Sequence, residues 1–172
     1  MKCDDIGSVL NRYGEAASYL GLWGERSKLT RFPQSLTPTI TVSGGFVYEA
    51  GDLHMGIVIV EDHFAHFRIE RNKPTISDRF SRFEDAAKLL VKDEGEQIRS
   101  RLNLPLKYFE WKALGVHPAV EVTDDRYRAR LSLRDDPSVW CSVPAFAQAA
   151  TSQIMMMSMA ELDAQLIEGM DL

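Results

Sequence analysis

The sequence has few of the residues that build disulfide or metal-bound frameworks. Cys3 and Cys141 are its only cysteines, and neither belongs to a CxxC pair or to a cluster with metal-ligand spacing. A disulfide scaffold and a zinc site are therefore unexpected, and lone cysteines favour a reducing compartment. His63 and His66 form an HxxH pair at a turn and in a strand-like run. Positions three apart in a strand point to opposite faces, so this pair predicts no metal site.

The sequence predicts neither a targeting segment nor a membrane span. The opening MKCDDIGSVL lacks the apolar run of a signal peptide and carries two acidic residues. An uncharged run of 24 residues extends from Pro137 to Ala160, but prolines and polar side chains interrupt it. A spanning helix would carry a repeated polar penalty there. The sequence therefore predicts a cytoplasmic protein without a membrane partner.

Recognisable catalytic and cofactor-binding motifs are absent as well. The sequence has no GxSxG element to present a nucleophilic serine, and no glycine-rich loop opens a predicted helix, the arrangement by which such loops bind phosphates and dinucleotides. Cys141 lies in a predicted strand, where a free cysteine is usually a small core residue. The pair Asp124-Asp125 lies in a predicted turn, where aspartate favours local hydrogen bonds. We expect no catalytic residue, no cofactor and no metal, and a protein that acts by binding another protein.

The composition is that of an ordinary folded domain. Of 172 residues, 45% are apolar and 26% are charged, which are average values for folded proteins. No linker or repeat divides the chain, so we expect a single domain over residues 1–172. The net charge of −5 argues against a nucleic-acid partner, because phosphate binding depends on accumulated lysine and arginine.

Hydrophobic periodicity predicts an α+β fold, with helices packed on an antiparallel sheet of about six or seven strands. Apolar residues at helical spacing predict an N-terminal helix over Ile6–Leu20 that ends at Gly21 or Gly24. A central helix is expected from Ser77 or Asp78 to Leu102, broken or bent at Gly95. A capping box at Ser158–Glu161 predicts the start of a C-terminal helix.

Alternating apolar residues predict the strands. Four are expected between the first two helices, with Asn72-Lys73-Pro74 closing the group, and three follow the central helix. The methionines at 155–157 are expected in the core, in a further buried strand. The predicted strands are Leu36–Val42, Phe46–Glu49, Met55–Val60, Phe64–Arg71, Ala119–Thr123, Tyr127–Leu133 and Val139–Val143.

Two charge patterns bear on recognition. Arg126, Arg128 and Arg130 alternate along one predicted strand, which favours the solvated face of a half-buried sheet over an anion-binding stripe. No lysine or arginine follows Arg134, so the last 38 residues carry a net charge of −6 and the preceding 134 carry +1. An acidic end can steer a basic partner, and the alternative is simply a solvated terminal helix.

Several short motifs occur in a fixed order along the chain. Phe67-Arg68-Ile69 ends the first group of strands, and Gly95-Glu96-Gln97-Ile98-Arg99 with Leu102-Asn103-Leu104-Pro105 ends the central helix. Ser152-Gln153-Ile154 and Ser158-Met159-Ala160-Glu161-Leu162 follow. Together they resemble the bacterial immunity proteins of polymorphic toxin systems, in particular those similar to the immunity factor of the tuberculosis necrotizing toxin.

The resemblance implies a cytosolic antitoxin. Such a protein binds the catalytic domain of a cognate secreted toxin, here of the NAD-hydrolysing kind, and blocks its active site. The family has no catalytic residues to transfer to this chain. The resemblance places no inhibitory contacts on particular positions, so candidate contacts are taken from the residues themselves.

Candidate partner-binding residues are an aromatic anchor and a set of acids. A tight inhibitor needs roughly 800 Å² of surface on its own side, with a few anchors that are often Trp, Tyr or Arg. Trp23, expected in a loop after the first helix, is the candidate anchor, whereas Trp140 is expected in the core. The candidate acids are Asp135, Asp136, Glu161 and Asp163.

Two other functions remain open at this point. One is a small enzyme or ligand-binding carrier with a pocket on a curved antiparallel sheet. Its pocket would lie among Phe46, Val58, Phe67 and Leu131. The other is a structural subunit of a larger assembly.

Overall fold

The computed structural model describes residues 6–29, 37–41, 45–50, 53–70 and 73–171, with side chains described for 13–26, 55–68 and 75–171. These residues form five helices, eight strands and a short 3-10 turn at Ala145–Ala147. The helices are α1 (Ile6–Leu29), α2 (Phe83–Arg101), α3 (Lys107–Ala113), α4 (Gln148–Met156) and α5 (Met159–Ile167). The strands are β1 (Thr37–Thr41), β2 (Gly45–Ala50), β3 (Leu53–Val60), β4 (His63–Glu70), β5 (Lys73–Phe80), β6 (Val120–Asp125), β7 (Arg128–Leu133) and β8 (Trp140–Pro144). The predicted α+β class is confirmed.

All eight strands belong to one antiparallel sheet, in the order β1-β2-β3-β4-β5-β8-β7-β6. The first five strands form a meander. The chain then runs through α2 and α3, and the last three strands return so that β8 lies beside β5. The sheet is larger than the predicted six or seven strands because β5 adds a strand that the sequence pattern does not reveal.

Residues 73–80 form β5 where the sequence predicts the end of the sheet and the start of a helix. Residue 72 lies outside the described residues, but Lys73–Phe80 pairs with β4, and α2 begins only at Phe83. Of the β5 side chains from Thr75 onward, only Phe80 is buried. The segment therefore has almost no apolar alternation, and pairing with its neighbour determines its conformation.

One face of the sheet holds the core. The strand register places Leu131, Cys141 and Phe80 side by side across β7, β8 and β5, and none of the three has exposed surface. Buried side chains of α1, α2, α4 and α5 belong to the same cluster. The opposite face, called here the polar face, carries Arg130, Ser142 and Arg79 in the neighbouring row of the same three strands.

α1 continues past its predicted end at Leu20 to Leu29, and it bends at Gly14, where φ is 47° and ψ is −118°. Gly21 and Gly24 lie inside the helix rather than ending it. Trp23 between them has no exposed surface. Burial of a large apolar side chain contributes about 1.5–3 kcal/mol, which offsets a glycine cost of about 1 kcal/mol.

The methionine-rich segment is helical rather than the predicted strand. Met155 lies in α4 and is buried, as the core prediction required, whereas Met156 beside it is 41% exposed. One face of α4 therefore packs on the sheet.

The capping box is confirmed: the Ser158 hydroxyl accepts a hydrogen bond from the Glu161 N–H at 3.1 Å, and the Glu161 carboxylate accepts one from the Ser158 N–H at 2.7 Å.

Long cationic side chains of α2 bind the carboxyl ends of two other helices. Lys88, which is 2% exposed, donates to the Met155 carbonyl near the end of α4 at 3.3 Å. Arg99, which is 3% exposed, donates to the carbonyls of Leu166 and Glu168 at the end of α5, each at 2.8 Å. The last carbonyls of a helix have no partner within the helix, so these bonds satisfy groups that would otherwise be buried alone.

A carboxylate of α2 binds the amino end of α3 in the same way. Glu96 accepts hydrogen bonds from the backbone N–H groups of Lys107 at 2.9 Å and Tyr108 at 3.3 Å. Burial raises the pKa of Glu96 above its ordinary value, and these two bonds only partly oppose the rise. α2 is thus the element to which α3, α4 and α5 are all fastened.

Gly95 does not bend α2 as predicted; it lets α5 approach closely. A Cβ atom at this position would lie 2.8 Å from both δ carbons of Leu166. Leu166 has no exposed surface, so its side chain has little room to move aside. The absence of a side chain at Gly95 is therefore required by packing rather than by backbone conformation.

We predict that Gly95→Ala destabilises the protein by about 1 kcal/mol. Overpacking typically costs about 1–3 kcal/mol, and alanine returns only about 1 kcal/mol of helix propensity. In a Leu166→Ala background the same change should stabilise, because only the propensity gain remains. Urea unfolding of the four proteins measures both effects. A stabilising effect of Gly95→Ala in the wild-type chain would contradict the close approach.

Candidate functional site

The predicted aromatic anchor is a core residue. Trp23 lies within α1 rather than in a loop, it has no exposed surface, and the guanidinium of Arg26 lies 4.8 Å from its ring centroid. The prediction of Trp23 as a surface contact is therefore corrected. Trp140, expected in the core, is instead half-buried on the polar face, where the Arg130 guanidinium lies 4.1 Å from its ring centroid.

The four predicted acids come from two distant segments that both approach the start of α2. Asp135 and Asp136 lie in the turn between β7 and β8, and Glu161 and Asp163 lie in the first half of α5. The pKa of Arg82, just before α2, is raised first by hydrogen bonds to Asp85 and also by the charge of Asp136. The pKa of Glu161 is lowered first by the backbone and hydroxyl of Ser158, and further by the charge of Lys88.

Three of these four acids are engaged within the chain. Glu161 completes the capping box of α5, and Asp163 forms an ion pair with Arg26 of α1. Asp136 accepts hydrogen bonds from the backbone and hydroxyl of Ser138, at 3.1 and 2.5 Å, which shape the turn. Asp135 is exposed and forms no hydrogen bond or ion pair with the described residues. It is the member of the set that is freest to meet a partner.

An aromatic pocket of about 300 Å³ opens on the same part of the surface. Tyr13 stacks on Phe83 with ring centroids 4.1 Å apart, and Phe64 meets both rings edge-on at 5.7 Å. The remaining lining residues are Glu15, Ala16, Arg82, Glu84 and Met159. The pocket thus has an apolar floor and exposed carboxylates on its rim.

Local cations cancel only part of the charge of these carboxylates, because Lys88 pairs with Glu84 whereas Glu15 forms no ion pair with the described residues. Arg82 donates two hydrogen bonds to the buried Asp85, at 2.8 and 2.9 Å. Lys88 is buried and lies 2.8 Å from Glu84. We call the pocket and the exposed acids around it the acidic surface; its acids are Glu15, Glu84, Asp135, Asp136 and Glu161. Glu15 and Glu84 have no sequence signal that links them to the acidic carboxyl-terminal segment, because only the packing of α1 and α2 brings them there.

A second polar site lies where β5 separates from β8. These strands pair only at Arg79–Ser142 and Phe80–Cys141, and a bulge in β5 sets Ser77 and Asp78 opposite His66 alone. Arg128 of β7 reaches into the opening. Its guanidinium donates to the Ser142 carbonyl at 2.6 Å, to the Ser142 hydroxyl at 3.2 Å and to the Asp78 carboxylate at 3.2 Å.

Asp78 connects this opening with the core side of the sheet. Its carboxylate lies 3.7 Å from Nδ1 of His66, whose Nε2 donates to the Ala86 carbonyl of α2 at 2.7 Å. Burial of Asp78 raises its pKa, but interactions with His66 and Arg128 outweigh burial and hold the pKa below its ordinary value. The ionised carboxylate therefore stabilises the bulged strand.

Two further sequence candidates, His63 and Cys141, lie in the part of the chain whose side chains the structure describes. His63, expected as an exposed turn residue, is 7% exposed and lies 6.0 Å from Trp140, ring centroid to ring centroid. With Glu61 and Asp62 it brings three ligand atoms within 4.8 Å of one another, but two are exposed turn carboxylates, which are common without an ion. Cys141 is buried against the Met155 sulfur at 3.4 Å, and burial raises its pKa, which disfavours the nucleophilic thiolate.

The pocket predicted for a ligand carrier is not formed by the residues proposed for it. Val58 and Phe67 pair with Ala65 and Gly56, and this row lies on the face opposite His66 and Ile57. Leu131 is buried on the core face beside Cys141. The side chain of Phe46 lies outside the described residues. Residues on opposite faces of a sheet do not line one pocket.

The fold defines a class of α+β proteins in which five helices accompany one large antiparallel sheet. No protein-family model matches the sequence, and no curated protein matches it. Among solved structures, Rv3902c from M. tuberculosis is similar, with a TM-score of 0.65 over 86% of each chain and 13% sequence identity. At this identity the likeness shows a shared fold.

No helix in the described part of the chain has both the length and the apolarity to cross a membrane.

We predict that Asp78→Asn makes the free energy of unfolding depend less steeply on pH below about pH 5. A carboxylate whose folded pKa is depressed stabilises the protein above its unfolded pKa of about 3.9, and this contribution is lost as pH falls through the folded pKa. The wild type should therefore lose more unfolding free energy than the variant between about pH 5 and pH 2. Urea unfolding across that range measures the difference. Asp135→Asn, at an exposed position, is the control. If the free energy of unfolding falls equally steeply with pH in Asp78→Asn and in the wild type, the ionised Asp78 carboxylate does not stabilise the fold.

Proposed function

We propose that the chain is a cytoplasmic immunity protein. In this proposal it binds the catalytic domain of a cognate secreted toxin, blocks the toxin's active site, and has no enzymatic activity of its own. The motifs from Gly95 to Leu162 support this through their resemblance to immunity proteins of polymorphic toxin systems. The fold shared with Rv3902c is compatible with it. The observation that carries the proposal is the acidic surface, because it unites exposed charge with an aromatic pocket.

The acidic surface has the chemistry of an inhibitor contact. Exposed carboxylates such as Glu15 and Asp135, which form no ion pair with the described residues, attract a basic partner over long range and raise the association rate. The pocket floor of Tyr13, Phe64 and Phe83 offers an apolar seat for one projecting side chain of the partner. Desolvated pockets surrounded by polar groups are where most binding energy concentrates.

An NAD-hydrolysing toxin fits this surface by charge. An enzyme that binds NAD has to hold a pyrophosphate, and arginine and lysine commonly do so. A carboxylate-rich surface is complementary to such a cleft and competes with the pyrophosphate for the same cations. Blocking the cleft needs no catalytic group on the inhibitor, in line with the buried Cys141.

The direct test first isolates the toxin by pull-down with the tagged full chain and then measures inhibition of that toxin's catalytic domain. The purified domain is assayed for NAD hydrolysis with increasing amounts of the full chain, and the complex is sized by light scattering. We expect activity to fall to background at an equimolar ratio, a one-to-one complex, and no hydrolysis by the chain alone. Full toxin activity in the presence of excess folded chain would refute the proposal.

We predict that the double change Glu15→Lys and Asp135→Lys slows association with the toxin domain about tenfold at low salt, with a smaller effect on dissociation. These residues are exposed, whereas reversing Glu161 or Asp163 would also remove a helix cap or an ion pair. The double change Glu121→Lys and Asp124→Lys on the edge strand β6, which alters the net charge equally, is the matched control. Surface plasmon resonance at several salt concentrations gives both rates. An unchanged association rate would show that the acidic surface does not steer the partner.

A further inference from the structure

We propose that the gap between β5 and β8 is a binding site for a phosphate group. The gap is a cavity of about 350 Å³ lined by Ile76, Ser77, Arg79, Arg128 and Ser142. It opens on the polar face and shares no lining residue with the pocket of the acidic surface. The inference goes beyond the immunity function and does not depend on it.

The gap is a built feature of the sheet. In a regular antiparallel pair, β5 and β8 would continue to pair beyond Arg79 and Ser142, but the bulge at Ser77 and Asp78 turns β5 away. Arg128 then occupies part of the space and is held there by Ser142 and Asp78. Bulges commonly re-aim side chains next to binding sites.

The charge inside the gap is incompletely balanced. Arg128 is paired with Asp78 through Nη2, and its Nε bonds the Ser142 hydroxyl, which leaves Nη1 without a partner among the described residues. Arg79 is exposed, and its guanidinium forms no hydrogen bond or ion pair with any residue that the structure describes. Two guanidinium groups therefore face one carboxylate, and the gap keeps a net positive charge.

The donors favour a tetrahedral oxyanion over a planar one. The Ser142 hydroxyl accepts a hydrogen bond from Arg128, so its own proton remains to be donated. Ser77, whose side chain carries a second hydroxyl, also lines the gap. Two arginines and two hydroxyls supply donors from several directions, which suits the three terminal oxygens of a phosphate better than the two coplanar oxygens of a carboxylate.

The test is a titration of the full chain with inorganic phosphate, followed by ¹⁵N–¹H correlation spectra at constant ionic strength. We expect saturable shifts at the amides of Ser77, Arg79, Arg128 and Ser142. Arg79→Gln should weaken the phosphate affinity about tenfold, because a charge-assisted hydrogen bond is lost. Lys112→Gln, which removes an exposed charge on α3, is the matched control and should leave the affinity unchanged. Equal thermal unfolding of Arg79→Gln and wild type checks that the fold is intact.

Three results would overturn the proposal: linear shifts equal to those from added chloride, unchanged phosphate affinity in Arg79→Gln, or acetate binding as tightly as phosphate. Glycerol 3-phosphate distinguishes the source of the group. Tighter binding than that of inorganic phosphate indicates a phosphate ester as the ligand, and weaker binding indicates free phosphate.

Discussion

The fold depends on the pairing of charged side chains that α2 carries into the interior. Asp85, Lys88 and Arg99 are at most 3% exposed, and a buried charge without a partner would cost several kcal/mol. Their partners are Arg82 and the carbonyl ends of α4 and α5, while Glu96 holds the amino end of α3. One helix thereby fixes three others. This pairing determines the position of α5 and therefore places Glu161 at the acidic surface.

The same chain presents charge of opposite sign in two places. Acids of α1, α2, α5 and the β7–β8 turn gather on the acidic surface, while Arg79, Arg128 and Arg130 lie together on the polar face. The net charge of −5 conceals this separation. The electrostatic potential is negative at the acidic surface and positive in the gap. A basic partner and a phosphate group would therefore bind at separate places on one molecule.

The candidate site was predictable from the sequence only in part. The charge run after Arg134 drew attention to Asp135 and Asp136, which are exposed near the start of α2; their contact with a partner stays a prediction. Glu161 and Asp163 belong to the same run, but one caps a helix and the other pairs with Arg26. Arg79 had no signal at all, because its β5 segment reads as a turn and a helix start. Sites assembled from distant segments leave no local pattern, and these segments are joined only by strand pairing and helix packing.

The sequence by itself determined the α+β class, the capping box at Ser158, and the strands whose apolar residues alternate, such as β4 and β7. These features rest on interactions between residues close in the chain, or on a periodicity that shows which side is buried. Tertiary structure alone decided that Trp23 is in the core, that Gly95 is a contact point for Leu166, and that β5 is a strand. In each case the deciding energy comes from a partner far along the chain: burial extends α1, close packing excludes a side chain, and a neighbouring strand supplies the hydrogen bonds that β5 lacks alone.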